Sequence, residues 1–257
     1  MYRVKSNAVW HSLPGVVAAY QPIAAPDPFA ARQNVAHNGA RFGVYTAASA
    51  TPPAWKASFG WIFSGTPHQL NTMVVPQSGW SMLVRFSQVS GVLFAVAAGS
   101  QRSPGNYRFY LAPWHDVGTN THTYGDGGAV SIAGRKSSGV MGVSGATGYL
   151  DGNYDGAVTT SWDGATTLSV VLGANNTTGG VTSFLTGNIP TFIIVSRVLS
   201  PAEMWLASRQ MAHCEQNPDW NAWARRRRYY YAPPAAAAAF NPAWARNANT
   251  VVNQVHP

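Results

Sequence analysis

Nine acidic residues among 257 leave few candidates for acid–base chemistry. Glycoside hydrolysis by paired carboxylates needs one acid to protonate the leaving oxygen and a second group to act as nucleophile or base. The two glutamates, Glu203 and Glu215, fall in or just beyond a segment with helix signals, and no strand-like stretch carries an E-x-D-x-x-E row. Asp116, Asp126, Asp151, Asp155 and Asp163 sit beside glycine or in turn-like surroundings, where aspartate bonds to its own backbone. Asp151 and Asp155 offer the hard oxygens that calcium takes. Without D-x-D-x-D spacing, however, their two Asp-Gly pairs read as hairpin turns, and no metal ligand or cofactor is assigned. The histidines, at 11, 37, 68, 115, 122, 213 and 256, are scattered. The close pair His115 and His122 lacks a spacing that would place both on one metal. No G-x-S-x-G elbow accompanies a serine, and Gly127-Gly128 and Gly179-Gly180 lack the lysine and helix of a phosphate cradle. On these grounds the chain is expected not to be an enzyme.

Aromatic and basic residues give the sharper signals. Trp114, Tyr154 and Trp162 fall near expected loops, where rings could stack on sugars; burial in a core is the competing reading for any large ring. Arg225, Arg226, Arg227 and Arg228 run directly into Tyr229, Tyr230 and Tyr231. Guanidinium groups pair with phosphates and aromatic rings stack on bases. Four consecutive arginines cannot all face one groove, however, and the flanks are proline and alanine, so nucleic acid is the weaker reading. An arm docking on a protein surface fits better: Trp220, Trp223, Phe240 and Trp244 are spaced apolar anchors among small residues.

The elements that must position these residues are mostly strands. Charged residues make up 10% of the chain and Gly and Pro together number 42 (25 + 17), which excludes coiled coils and helical bundles. From about residue 8 to 197, short apolar segments alternate with Gly, Asn, Asp, Ser and Pro. In Trp80–Phe86 a period of two puts Trp80, Met82, Val84 and Phe86 on one face and Ser81, Leu83 and Arg85 on the other, predicting a half-buried strand. Phe192 to Val195 is apolar throughout, predicting a central strand buried on both faces. One segment carries a strong helix start. Ser200-Pro201-Ala202-Glu203 supplies an N-cap hydroxyl, proline at N1 and glutamate at N3, predicting a helix over about 200–213. The lone Cys214 cannot form an internal disulfide and reads as a buried or half-buried thiol. The longest apolar run, Val92 to Ala98, is far short of the ~20 residues of a membrane span. Residues 1–30 lack a secretory core, so a soluble, unexported protein with no membrane partner is expected.

Several motifs occur in a telling order: Gly148-Tyr149-Leu150-Asp151-Gly152, Leu168 to Gly173, Phe184-Leu185-Thr186-Gly187-Asn188-Ile189, and Val198-Leu199-Ser200-Pro201-Ala202-Glu203. Together they resemble the C-terminal half of a laminin-G-like, concanavalin-A-like jelly roll. Gly15 to Tyr20 and Gly79 to Phe86 are similar to that family's opening and central strands. The resemblance implies an all-β, two-sheet antiparallel sandwich over residues 1–219 with one C-terminal helix, followed by an extended arm over 220–257. The ending resembles such domains in tailed-bacteriophage virion proteins. That implies a non-enzymatic structural protein of the virion, assembled in the host cytoplasm. The first expectation is capsid decoration, with the arm anchoring the jelly roll to capsid or tail subunits and the protein forming a homo-oligomer on the particle. The alternative is a carbohydrate-binding adhesion module whose partner is a host surface glycan.

Overall fold

The computed structural model describes residues 10–214 apart from 37–50, 66, 92–93, 103–106, 116–119, 159–161 and 163–166. Seventeen strands are described. In chain order they are β1 (Val16–Tyr20), β2 (Ala54–Lys56), β3 (Gly60–Ser64), β4 (Leu70–Asn71), β5 (Ser81–Ser87), β6 (Phe94–Ala95), β7 (Ala98–Arg102), β8 (Tyr107–His115) and β9 (Thr121–Asp126). They continue with β10 (Gly128–Ala133), β11 (Gly139–Ser144), β12 (Thr147–Leu150), β13 (Asn153–Ala157), β14 (Val171–Leu172), β15 (Asn175–Thr177), β16 (Gly180–Thr182) and β17 (Thr186–Val195). A one-turn helix α1 (Pro28–Ala31) follows β1, and α2 (Pro201–His213) follows β17. No described helix is long and apolar enough to cross a membrane.

The strands form two sheets. The first runs β13-β12-β11-β5-β17-β3-β2, with β1 also paired to β17, and the second runs β10-β9-β8-β7-β14-β4, with β6, β15 and β16 attached. Apart from the parallel β15–β7 pair, the pairings are antiparallel. This is the expected all-β sandwich with one C-terminal helix. The arm over 220–257 lies outside the described residues.

The period of two assigns inner and outer faces. Met82, Val84 and Phe86 of β5, Phe192 and Ile194 of β17, and Phe109 and Leu111 of β8 fill the space between the sheets. Leu83, Val140, Ile193 and Val195 point the other way, into a second apolar layer under Met204, Ala207 and Met211 of α2. The half-buried expectation for β5 is therefore corrected. Leu83 is as buried as its inward neighbours because α2 and the N-terminal segment around Trp10 cover that face, leaving Arg85 partly exposed. Trp80 lies just before the strand and packs on the core only partly buried. The all-apolar run Phe192–Val195 of β17 is buried on both faces and lies between β5 and β1, as its composition predicts, while β3 pairs with the start of the strand.

A polar knot fixes the start of α2 to the sheet. The Ser144 hydroxyl donates to the Leu199 carbonyl (2.8 Å) and Oγ accepts from the Leu199 N–H (2.8 Å), while the Ser81 hydroxyl donates to the Arg197 carbonyl (2.7 Å). The capping box forms as read: the Glu203 N–H donates to Ser200 Oγ (3.3 Å) and the Ser200 N–H to Glu203 Oε2 (2.9 Å). Arg197 adds a two-pronged contact to Glu203 (2.6 and 3.1 Å). That guanidinium, with the Ser200 donors and against partial burial, holds the Glu203 carboxyl down to about 2. A carboxylate depressed in the folded state contributes stability above its unfolded value and loses it as pH falls. Wild-type stability is therefore expected to drop between pH 4.5 and about 2 by an increment that Glu203→Gln lacks. Because water screens this partly exposed pair, the increment should be about 1 kcal/mol in denaturant titrations across that range.

Candidate functional site

The three aromatic residues singled out in the sequence do not meet. Trp114 and Tyr107 lie towards opposite ends of β8, seven residues apart and so roughly 23 Å along an extended strand. The half-buried Trp114 ring lies under the Arg135 guanidinium, 4.5 Å from its centroid. Trp162 packs edge-on against Tyr107, with centroids 4.5 Å apart, and its indole N–H donates to Asp126 Oδ1 (2.8 Å). Tyr154 stands on β13, at the edge of the other sheet, and is 68% exposed. The arm residues from Trp220 to Trp244 lie outside the described residues.

Tyr154 acquires a second ring from an unassigned position. It is register-paired with Tyr149, which is buried beneath α2, so the two side chains share the face that the helix covers. The β12–β13 turn is Asp151-Gly152, with φ of 52° and 85°, the two left-handed residues of a type I′ hairpin. Gly152 is required twice over, because a Cβ there would lie 2.7 Å from the Trp205 Cα. This contact sets the α2 backbone against the hairpin and places Trp205 on its flank. Met204, Ala207 and Met211 form the buried stripe, and Trp205, about 100° round the helix from Met204, stays 50% exposed. Arg209, one turn later, carries its guanidinium over the indole at 5.8 Å. Two exposed rings thus stand on the two elements that meet at Gly152, Tyr154 on β13 and Trp205 on α2, with the Arg209 cation beside the second. A signal for Trp205 exists in the sequence, since it falls off the apolar stripe of the expected helix.

A clasp between the sheets steadies β13 beneath Tyr154. Asp155 points inward, where its Oδ2 accepts from the Tyr124 hydroxyl (2.7 Å) and lies 2.6 Å from His122 Nε2. The opposite ring nitrogen, Nδ1, is 2.6 Å from the Gly134 carbonyl, which can only accept, so Nδ1 carries a hydrogen. Tyr124 reaches across the core to Gly148, where a Cβ would lie 2.6 Å from its ring. Burial, reinforced by the hydrogen bond to Asp155, pushes the Tyr124 phenol upward. Asp151 is also committed, its Oδ1 accepting from the Val140 N–H (2.8 Å). Among the described residues, no three His, Cys, Asp or Glu side chains gather as a metal cage.

No family model and no curated protein matches the sequence. Solved structures do share the fold. Trypanosoma rangeli sialidase with 2,3-difluorosialic acid matches over 76% of this chain and 33% of its own, with 16% identity and a TM-score of 0.52. The same sialidase in complex with sialic acid matches over 77% and 33%, with 15% identity and a TM-score of 0.52. Domain 4 of a GH43 extracellular arabinanase from Geobacillus stearothermophilus, in complex with arabinotriose, matches over 75% and 98%, with 14% identity and a TM-score of 0.46. This chain spans about a third of the length of the sialidases.

These likenesses correct one expectation. The exclusion of an enzyme does not stand, because chains sharing the sandwich include sialidases. The physical reason is that paired carboxylates are not the only route to glycoside hydrolysis. A search for paired carboxylates misses glycosidases that use a tyrosine nucleophile, as sialidases do. At this identity the likeness shows the fold alone, and a fold hosts unrelated functions.

The clasp makes a direct prediction. Asp155→Ala strands the Tyr124 hydroxyl and His122 Nε2 without their partner inside the sandwich and should cost about 2–4 kcal/mol in urea unfolding. Asp155→Asn, which keeps an acceptor, should cost less. A loss below about 0.5 kcal/mol for the alanine variant would show that the clasp contributes nothing net.

Proposed function

We propose that this sandwich is a glycan-recognition module and that Tyr154 and Trp205 form its contact platform. The observation that carries the reading is the exposure of two large rings, 68% and 50%, on β13 and the α2 helix that packs on its hairpin; among the described residues the other ring this exposed is Phe29, alone in α1. Leaving apolar rings in water is unfavourable, and paired exposed rings mark a surface made to be covered. The C–H faces of a sugar ring suit such a cover, and the Arg209 guanidinium beside the indole supplies donors for hydroxyl or carboxylate oxygens. The sialidase that shares the fold and is seen with sialic acid lends support on the side of substrate class.

Capsid decoration is the second reading, favoured by the composition of 220–257, where the Arg225–Arg228 and Tyr229–Tyr231 runs adjoin spaced apolar anchors. It shares the surface location that glycan recognition needs. If it holds, truncation after Asn221 should leave the sandwich folded but absent from particles in cryo-EM images; loss of folding would count against the arm.

For the primary reading, the full-length chain should select a subset of ligands on a glycan array. Tyr154→Ala and Trp205→Ala should each weaken that binding about tenfold or more, equivalent to about 1.4 kcal/mol. Both sites are exposed, so stability should change by less than about 1 kcal/mol. Unchanged binding in the double variant would remove the platform from the account.

A further inference from the structure

Asp126 is the one described carboxylate that the structure buries almost completely, at 1% exposure, without giving both oxygens a partner. Its Oδ1 accepts from the Trp162 indole (2.8 Å), while Oδ2 is buried and unpaired. Asp126 closes β9, held between Phe109 of β8 and Gly128 of β10. Trp162 belongs to no strand or helix. It is held by its ring contacts to Tyr107 and Phe109 and by this hydrogen bond.

No described cation hydrogen-bonds to the carboxyl, and Arg102 of β7, register-paired with Tyr107 and so on the same face, is engaged elsewhere. On β8, Tyr107 faces the same side and its hydroxyl donates to the Pro76 carbonyl (3.2 Å), whereas Arg108, next along the strand, lies against Gly125 on the other face. Along β9 the same inward row holds Tyr124 and His122, both engaged by Asp155 of β13. Gly128 of β10 has no side chain to offer. Asp163, the neighbour of Trp162 in sequence, lies outside the described residues and must be controlled for.

We infer that the Asp126–Trp162 contact is a pH-operated latch at this end of the sandwich: the carboxyl holds Trp162 docked while protonated and favours its release when ionised. An unpaired anion in this position loses hydration, and the cheapest way to regain it is to move the tryptophan, since Asp126 is fixed in the sheet. Burial outweighs the stabilising indole hydrogen bond and raises the carboxyl from 3.8 to about 6. The closed form therefore binds the proton more tightly than an open one, and raising pH through this window shifts the equilibrium towards opening by up to about a hundredfold. The inference does not depend on glycan recognition at the Tyr154–Trp205 platform.

The test uses the full chain with 5-fluorotryptophan, the Trp162 line in the 19F spectrum being the one that Trp162→Phe removes. Between pH 4.5 and 8 that line should move to a solvent-exposed position with a midpoint near 6. Asp126→Asn should keep it docked throughout, and Asp163→Asn should titrate like the wild type. Independently of any variant, the side-chain 13C signal of Asp126 must titrate with the same midpoint as the Trp162 line. The latch is overturned by an invariant Trp162 line, by separate midpoints, by wild-type titration in Asp126→Asn, or by loss of titration in Asp163→Asn.

Discussion

Everything described here depends on the first sheet being covered on both faces. Its central strand, β17, exposes almost nothing: Phe192 and Ile194 meet the second sheet, and Ile193 and Val195 meet the layer under α2. Burying such a strand on one side only would leave a row of large aliphatic side chains in water, each worth about 1.5–3 kcal/mol of burial. The helix is therefore part of the core, and the serine knot at Ser81, Ser144 and Leu199 is what holds it to the sheet. Once the helix is fixed there, Gly152 sets how closely the hairpin can approach it, with the Trp205 backbone against the turn and its ring half exposed.

The second constraint is polar. Two aspartates enter the space between the sheets and meet opposite fates. Asp155 is satisfied by His122 and Tyr124, tying β13 of one sheet to β9 of the other, whereas Asp126 receives one indole donor and keeps an orphaned oxygen. In a low-dielectric interior a satisfied network rigidifies and an unsatisfied group is costly. The same physics thus makes one site a structural clasp and the other a point where the structure can yield.

Much of the architecture was legible in the residues. The capping box at Ser200, the apolar run in β17, the Asp151-Gly152 hairpin and the buried Cys214 are local signals, and local physics decides them. What escaped was non-local. The face occupied by Leu83 looked solvent-exposed because nothing in β5 announces that α2 and Trp10 will cover it. His122 and Asp155 lie 33 residues apart on different sheets, so no spacing rule could pair them. Trp114, Tyr154 and Trp162 looked equivalent as loop-side aromatics, and only the packing separates a ring under Arg135 and a ring bonded to Asp126 from one standing in water.

The proposal of glycan recognition rests on that separation, and it can be tested directly. With the ten tryptophans of the full chain 15N-labelled, a sugar selected on the array would be titrated while the indole N–H signals are followed. The account predicts that the Trp205 signal shifts saturably and that those of Trp114 and Trp162 do not. Saturable shifts at Trp114 or Trp162 with Trp205 unmoved would contradict it.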